Sequence, residues 1–474
     1  MTLGSFRGVS AGGLVVGVVT VCACSATPTA EQVRVPGSDP APSVDVGPAA
    51  AVVASQSSAR AVDALGADPP SSPSASAPAA ASAPAITTAT PPRDCNVILL
   101  SIDALRADMP WVGYPRPIAP RLTELEARSV SFTNAYSISS YTSMSLGGLL
   151  SGRLPSELNR SGYFFGTYRK DGFFPERLQR AGVHTMGVMA HEYFRSAGLD
   201  AGFDTWKLVP GVTWDPNTDR DITSPQSERV SEDLLRDPAN RSRRFFFWAH
   251  FMDPHDQYLP HDGIDWGKAA RDRYDAEVTF TDRYIGKLLD FVAAQPWADR
   301  TVIIVTSDHG EAFGEHGLWR HGFELWQPVI RVPLMINAPR ATARRVTVRR
   351  SAIDLAPTIL ELFGVPSEGN LEGKSLVAEI YGAPSEERDV VVDLPATSNS
   401  GRRRALLRGD DKLICFDDDA HCKLFDIVVD PSENRPIRSG LERTVMMAAY
   451  DLLARSIKEV TPYACYGSCL NGGK

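Results

Sequence analysis

From residue 95 onward the apolar positions alternate between two patterns. Asn96-Val-Ile-Leu-Leu-Ser-Ile102, Phe245-Phe-Phe-Trp-Ala249 and Thr301-Val-Ile-Ile-Val-Thr306 are continuous β-branched or aromatic runs of strand length. Unbroken runs of this kind predict parallel strands buried on both faces. Between the last two, Tyr274 to Val292 places Val278, Ile285, Leu288 and Val292 close to helical period. The alternation predicts an α/β fold, a mainly parallel sheet flanked by helices, over residues 93–375. Beyond about residue 376 the pattern changes to short strands (DVVVDL, RRALLRG, KLICF, CKLF) and a helix near Leu441–Val460. Residues 376–474 therefore read as a small C-terminal antiparallel α+β subdomain.

The front of the chain is of another kind. Arg7 and the apolar run Ala11 to Ala23 form the n- and h-regions of an export signal over residues 1–24. Val21-Cys22-Ala23-Cys24 resembles a bacterial lipobox, which implies lipidation of Cys24 and a lipid anchor on a membrane surface. Residues 25–92 are dominated by Ala, Pro and Ser, too poor in apolar surface to offset the entropy of ordering. They read as a disordered tether with a reach of about 45 Å when flexible. The expected location is the cell envelope, facing the periplasm or the exterior.

Across the whole chain, 43% hydrophobic and 22% charged residues are ordinary for a globular protein. Lys and Arg total 49 against 57 Asp and Glu, a net charge of −8, which argues against a nucleic-acid partner. Of the seven cysteines, Cys415 with Cys422 and Cys465 with Cys469 read as two local disulfides of an oxidising compartment, and Cys95 is left over.

Chemistry gathers where the runs end. The first leads into Asp103, the last into Asp308-His309-Gly310, and the middle one into Asp253-Pro254-His255. Open parallel sheets bind ligands at the carboxyl ends of their strands, so these ends are expected to converge on one rim. Gly310 would permit the turn that lets Asp308 and His309 both reach one ion. Two carboxylates and an imidazole suit Zn²⁺ or Mn²⁺. A nucleophile is expected in Ser139-Ser-Tyr-Thr-Ser-Met-Ser145, which leads into a short helix stopped by Gly152. A hydroxyl at that helix start has the dipole behind it. Spacing alone leaves five hydroxyls open: Ser139, Ser140, Thr142, Ser143 and Ser145.

With these segments in order, namely NVILLSIDALRAD, LLSGRLP, DPHDQY, TSDHGEAFGEHGLWRHG, DLAPTILELFGVP and LFDIVVDPSEN, residues 94–435 resemble the sulfatase family of the alkaline phosphatase superfamily. The resemblance implies an alkaline-phosphatase-like sheet. Its nucleophile sits seven residues before the first Leu of Leu-Leu-x-Gly, which is Leu149, and so implies Thr142. Its metal positions imply Asp103, Asp308 and His309, with Thr142 Oγ1 as a further ligand. His255 and His321 fall where the family contacts the transferred group, and they are also the expected place for a second ion.

The departures from the family bear on chemistry. Formylglycine sulfatases carry Cys or Ser at the nucleophile, Pro two residues on and Arg four residues on; here the residues are Thr142, Met144 and Leu146. Asp103 is followed by Ala104, and His309 stands in an Asn slot, so an oxygen ligand is lost and a nitrogen gained. That shifts preference from Ca²⁺ towards Zn²⁺ or Mn²⁺. His321, twelve residues after His309, makes the segment similar to phosphoethanolamine transferases, which use Thr and zinc. Among the other candidates, Glu311 is expected to orient a ligand and His191 to reach the cleft. His250, His316, Arg106 and Arg331 read as structural. The expected function is a metal-dependent hydrolase of phosphate or sulfate esters, phosphate favoured, acting through Thr142. A phosphoethanolamine or phosphoglycerol transferase and a non-catalytic metal-binding lipoprotein are the alternatives.

Overall fold

Strands that are apolar on both sides must be covered on both sides, and eight strands here form one such sheet. In chain order they are β1 (Asn96–Ile102), β2 (Val130–Phe132), β3 (His184–Met189), β4 (Thr205–Leu208), β5 (Phe245–Phe251), β6 (Thr301–Ser307), β7 (Leu334–Asn337) and β8 (Arg344–Val346). They lie side by side as β8-β2-β7-β6-β1-β5-β3-β4. β7 runs antiparallel to β6 and β2, and the remaining pairs are parallel. The structure, a computed structural model, describes residues 90–463 apart from 164–165, 169–171, 213–220 and 368. The expected signal with Cys24, the tether up to residue 89, and Cys465 with Cys469 lie outside the described residues.

The helices that cover the sheet are α1 (Thr142–Ser151), α2 (Ser224–Arg236), α3 (Ala270–Ala293) and α4 (Leu355–Leu362). One core takes the odd-numbered residues of β1, Val97 and Leu99, with Phe246, Trp248, Val302 and Ile304. Against them pack Leu146, Leu149 and Leu150 of α1 and Leu355 and Ile359 of α4. The other core takes Ile98, Leu100, Phe245, Phe247, Ile303 and Val305, with Leu235 of α2 and Ile285, Leu288 and Val292 of α3. Period two thus divides each central strand between two cores. Among the described residues, no helix is long and apolar enough to cross a membrane.

The C-terminal strands β9 (Val390–Leu394), β10 (Arg403–Arg408), β11 (Asp411–Phe416) and β12 (His421–Asp426) form an antiparallel sheet in sequence order, followed by α5 (Leu441–Ser456). Cys415 and Cys422 face each other across β11 and β12 and form a disulfide. Cys95 is buried and free, and burial pushes its thiol up to about 11. The subdomain packs close to the strand ends: Val392, Leu394, Ala405 and Leu407 share one cluster with Tyr136, Tyr141 and Met144, on either side of Thr142. A buried ion pair, Arg404 Nε to Asp393 Oδ1 at 3.0 Å, stands beside it, and Asp393 also accepts the backbone N–H of Ser156.

Candidate active site

Parallel register sets the geometry of the rim. Ile102 pairs with both Phe251 and Ser307, so the residues that follow β1, β5 and β6 emerge level with one another. The N–H of Asp103 still bonds the Phe251 carbonyl, and Ala104 then turns the chain at φ +56° and donates its N–H to Asp308 Oδ1 at 3.3 Å. Ser307 Oγ accepts the Leu105 N–H and lies 2.6 Å from the carbonyls of Ile102 and His309, stitching the two strand ends together. Gly310 serves a different purpose from the one expected of it. It is not left-handed; a Cβ there would lie 2.1 Å from the Pro328 carbonyl, so glycine is required for the close passage of residues 328–329.

Four donor atoms then converge. His309 Nδ1–H donates to the Gly310 carbonyl at 2.9 Å, which fixes the tautomer and leaves Nε2 with its lone pair. That nitrogen lies 3.0 Å from Thr142 Oγ1, 3.3 Å from Asp308 Oδ2 and 3.7 Å from Asp103 Oδ1. Asp103 Oδ1 and Asp308 Oδ2 are buried with no hydrogen-bond partner among the described residues. A buried carboxylate oxygen left bare is costly, and two of them beside an imidazole lone pair and the hydroxyl that meets it make a donor set that suits a divalent cation. Burial pushes the Asp308 carboxyl up, and the neighbouring Asp103 charge adds to it. Burial acts the same way on Asp103, but the field of His255 and the hydrogen bond from His250 outweigh it and hold that carboxyl well below its usual range. Burial lowers His309, which favours the neutral ring a metal needs.

His250, read from sequence as structural, belongs to this site. Asp103, His250 and Asp308 offer ligand atoms within 4.8 Å of one another. Yet both His250 nitrogens are already engaged, Nδ1 with Ser101 Oγ at 2.7 Å and Nε2 with Asp103 Oδ2 at 3.2 Å. The Trp248 indole N–H donates to the same Ser101 Oγ at 2.8 Å. Because indole can only donate, the relay runs Trp248 to Ser101 to His250 to Asp103, and His250 orients a carboxylate rather than binding an ion itself. A signal for this was present: Phe246, Trp248 and His250 share one face of β5, the face on which Ser101 lies in register.

A second cluster stands over the first. The His321 ring stacks on that of His309 at 4.1 Å and lies 5.0 Å from that of His255. His321 Nδ1 meets Glu311 Oε1 at 3.1 Å, and Glu311 Oε2 accepts the Tyr258 hydroxyl. Burial lowers His321, but the Glu311 carboxylate outweighs it and raises the imidazole to about 9. An imidazole raised in this way suits a bound oxyanion. His255 uses Nδ1 on the Asp256 carbonyl at 2.8 Å, and its Nε2 has no hydrogen-bond partner among the described residues.

The hydroxyls separate by their partners. Thr142 begins α1 and meets His309; Ser145 donates to the Asp308 carbonyl at 2.5 Å; Ser143 bonds Tyr193. Ser139 and Ser140 are buried, and their hydroxyls have no hydrogen-bond partner among the described residues. Gly152 closes α1 at φ +66°, as its position predicts. Asp253 leaves the site: it accepts the N–H groups of Thr223 and Ser224 at the start of α2. His316 stacks on Trp326 at 3.9 Å, Arg106 pairs with Asp108 and Glu315, Arg331 bonds the Thr133 carbonyl, and His191 is buried.

This sheet, with acid and imidazole at the carboxyl ends of its central strands, defines a protein of the alkaline-phosphatase-like kind. The family model described as Sulfatase matches residues 95–365, and the one described as N-sulphoglucosamine sulphohydrolase, C-terminal, matches residues 314–457. A sulfatase of Formosa agariphila is 23% identical over 422 residues, covering 71% of this chain and 82% of that one. The phosphonate monoester hydrolase of Agrobacterium radiobacter has a similar structure, with TM-score 0.65, 18% identity and coverage of 76% of this chain and 95% of that one. A structure solved with its substrate D-glucosamine-2-N,6-O-disulfate gives TM-score 0.62 at 19% identity, covering 77% of this chain and 97% of that one. The chain belongs to the sulfatase family of sulfate-ester hydrolases.

Proposed function

We propose that this chain hydrolyses anionic monoesters through a covalent intermediate on Thr142, accepting phosphate esters in preference to the sulfate esters of its family. The observation that carries the reading is the Thr142 hydroxyl, which donates to His309 Nε2 at 3.0 Å and stands at the start of α1. Asp103 Oδ1, Asp308 Oδ2, His309 Nε2 and Thr142 Oγ1 would hold one divalent ion, Zn²⁺ or Mn²⁺. When bound, such an ion supplies charge stabilisation and a lowered hydroxyl pKa.

The chain's own residues do the rest. The α1 dipole favours the negative charge that develops on Thr142 Oγ1 and on the incoming group. As Thr142 Oγ1 bonds the phosphorus or sulfur, the bond to the ester oxygen breaks and the alcohol departs with a proton. Water then cleaves the phospho- or sulfo-threonine, restoring the hydroxyl. His321, kept cationic by Glu311, holds a non-bridging oxygen. His255, in its doubly protonated form with Nδ1–H held by the Asp256 carbonyl, would give its Nε2 proton to the leaving oxygen, and the Thr142 hydroxyl proton would pass to solvent. Threonine in place of the formylglycine precursor supports phosphate, and the family supports sulfate; sugar esters are the natural alcohols to try. The proposal includes export and a lipid anchor at Cys24, supported by the signal-like leader and by the Cys415–Cys422 disulfide.

The test compares 4-nitrophenyl phosphate, its phosphodiester and 4-nitrophenyl sulfate with wild type, Thr142→Ala and Thr142→Ser. Thr142→Ala is expected to lose turnover by at least about a thousandfold while Thr142→Ser keeps part of it. Equal rates for wild type and Thr142→Ala refute the covalent mechanism, and turnover of sulfate alone refutes the phosphate preference.

A further inference from the structure

Glu277 puts a carboxylate on the inward face of α3, where its neighbours along the helix are apolar. It is 1% exposed, and a carboxylate buried that deeply is costly unless its oxygens are occupied. Both oxygens are spent away from its own helix. Oε1 accepts the backbone N–H of Leu259 at 2.5 Å, and Oε2 meets His261 Nε2 at 2.5 Å. Three residues further along α3, on the same side of the helix, the Phe280 ring stacks on the His261 imidazole at 3.7 Å, the planes within 7° of parallel. The bond-breaking step above uses none of these groups.

The segment that α3 grips in this way is the one that carries His255. After β5 its near end is fixed by Asp253, whose carboxylate accepts the N–H groups of Thr223 and Ser224. The His255 N–H then bonds the Met252 carbonyl at 2.8 Å. Its far end is fixed at Leu259 and His261 by Glu277. Between the two anchors the ties are lighter. Asp256 pairs with Arg320, whose side chain is 57% exposed, and such a pair adds little. Tyr258, beside Leu259, donates to Glu311 Oε2 at 2.9 Å, the carboxylate that also faces His321.

We infer that Glu277 is a positioning residue for proton delivery: by holding Leu259 and His261 from α3, it keeps the His255 loop where Nε2 can reach the leaving oxygen. The inference rests on the ester-hydrolase reading above, with His255 as the acid, and Glu277 acts only through the loop. Alanine at this position leaves the Leu259 N–H and His261 Nε2 without their partner, and a displacement of about 1 Å in a reacting group can cost about a hundredfold in rate. The loss is selective. An alcohol that leaves readily as an anion needs no proton from His255, whereas a poor leaving group does.

The test uses the full chain supplied with Zn²⁺ or Mn²⁺, and two esters of one acid, phenyl phosphate and 4-nitrophenyl phosphate, with the two sulfates run alongside. The readout is the ratio of kcat on the 4-nitrophenyl ester to kcat on the phenyl ester, which does not depend on how much of a preparation is folded. His255→Ala and Glu277→Ala are each expected to raise this ratio at least about tenfold, and the variant carrying both no further than His255→Ala alone. Glu277→Gln, which keeps an oxygen for the Leu259 N–H, is expected to stay within about threefold of the wild-type ratio. Hydrogen exchange at the Leu259 amide is expected to be faster in Glu277→Ala than in wild type. An unchanged ratio in Glu277→Ala overturns the positioning role, as does a double variant whose ratio is the product of the two single effects. A wild-type ratio in His255→Ala, or unchanged exchange at Leu259 in Glu277→Ala, overturns it too. Failure of the covalent mechanism shows instead as Thr142→Ala turning over as fast as wild type, and leaves the ratios standing.

Discussion

Replacing Ser101 with alanine is expected to damage the metal site from a distance, and the size of the effect follows from the two hydrogen bonds that its hydroxyl makes. Ser101, Trp248, His250 and Asp103 are all fully buried. Ser101 Oγ is the partner of the Trp248 indole N–H at 2.8 Å and of His250 Nδ1 at 2.7 Å. Alanine leaves two buried polar groups without partners, at about 1–3 kcal/mol each, so a loss of about 3 kcal/mol in folding stability is expected after partial relaxation. His250 is also deprived of the hydrogen bond that aims its Nε2–H at Asp103, and removing a partner that orients a ligand typically costs about ten- to a hundredfold in metal affinity.

Ser139→Ala supplies the control. Ser139 is as deeply buried, but its hydroxyl has no partner among the described residues, so its removal should change stability by less than about 0.5 kcal/mol or raise it. The assays are urea unfolding for stability and competition with a chromogenic chelator for metal affinity. The reasoning fails if the two variants are equally stable, or if Ser101→Ala binds metal as tightly as wild type.

Three further outcomes are expected. Asp103 and Asp308 present bare oxygens to one another in the interior, so a chelator should lower the melting temperature and added Zn²⁺ or Mn²⁺ should restore it; a melting temperature indifferent to chelation would count against the site. Burial pushes the Glu277 carboxyl, which faces His261, up to about 7. Its folded pKa lies above the unfolded one, so its contribution is fully present below about pH 4.5 and is lost as pH rises to about 7. Glu277→Gln should therefore flatten the stability profile between those limits, as read by denaturant midpoints at each pH. The Cys415–Cys422 bridge closes a loop with a sequence separation of 7, and reduction or Cys415→Ser should cost about 2 kcal/mol; an unchanged urea midpoint after reduction would refute this.

Much of the fold was legible because its governing patterns are local. Runs such as 96–102, 245–251 and 301–307, with no polar alternation, admit few fates other than strands covered on both faces. The carboxylates and imidazoles at their ends follow from the rule that such ends converge. The antiparallel tail and its disulfide followed likewise from short alternating strands and two nearby cysteines. The single antiparallel strand β7 was not legible, because strand direction depends on how the chain returns to the sheet.

The sequence by itself therefore determined the sheet, the strand ends and the kinds of atom gathered there. Residue spacing left five hydroxyls open and the family resemblance pointed to Thr142; the tertiary structure alone shows what each one faces, because Thr142, Ser143 and Ser145 differ in their partners across α1 and not in their own chemistry. Likewise, His250 looks like any core histidine until Ser101 and Asp103, some 150 residues away in the chain, close on its two nitrogens. Gly310 reads as a turn residue until the Pro328 carbonyl is brought against it. Periodicity reports which face of an element is buried, but the partner on that face is supplied by distant chain, and a side chain's role depends on that partner.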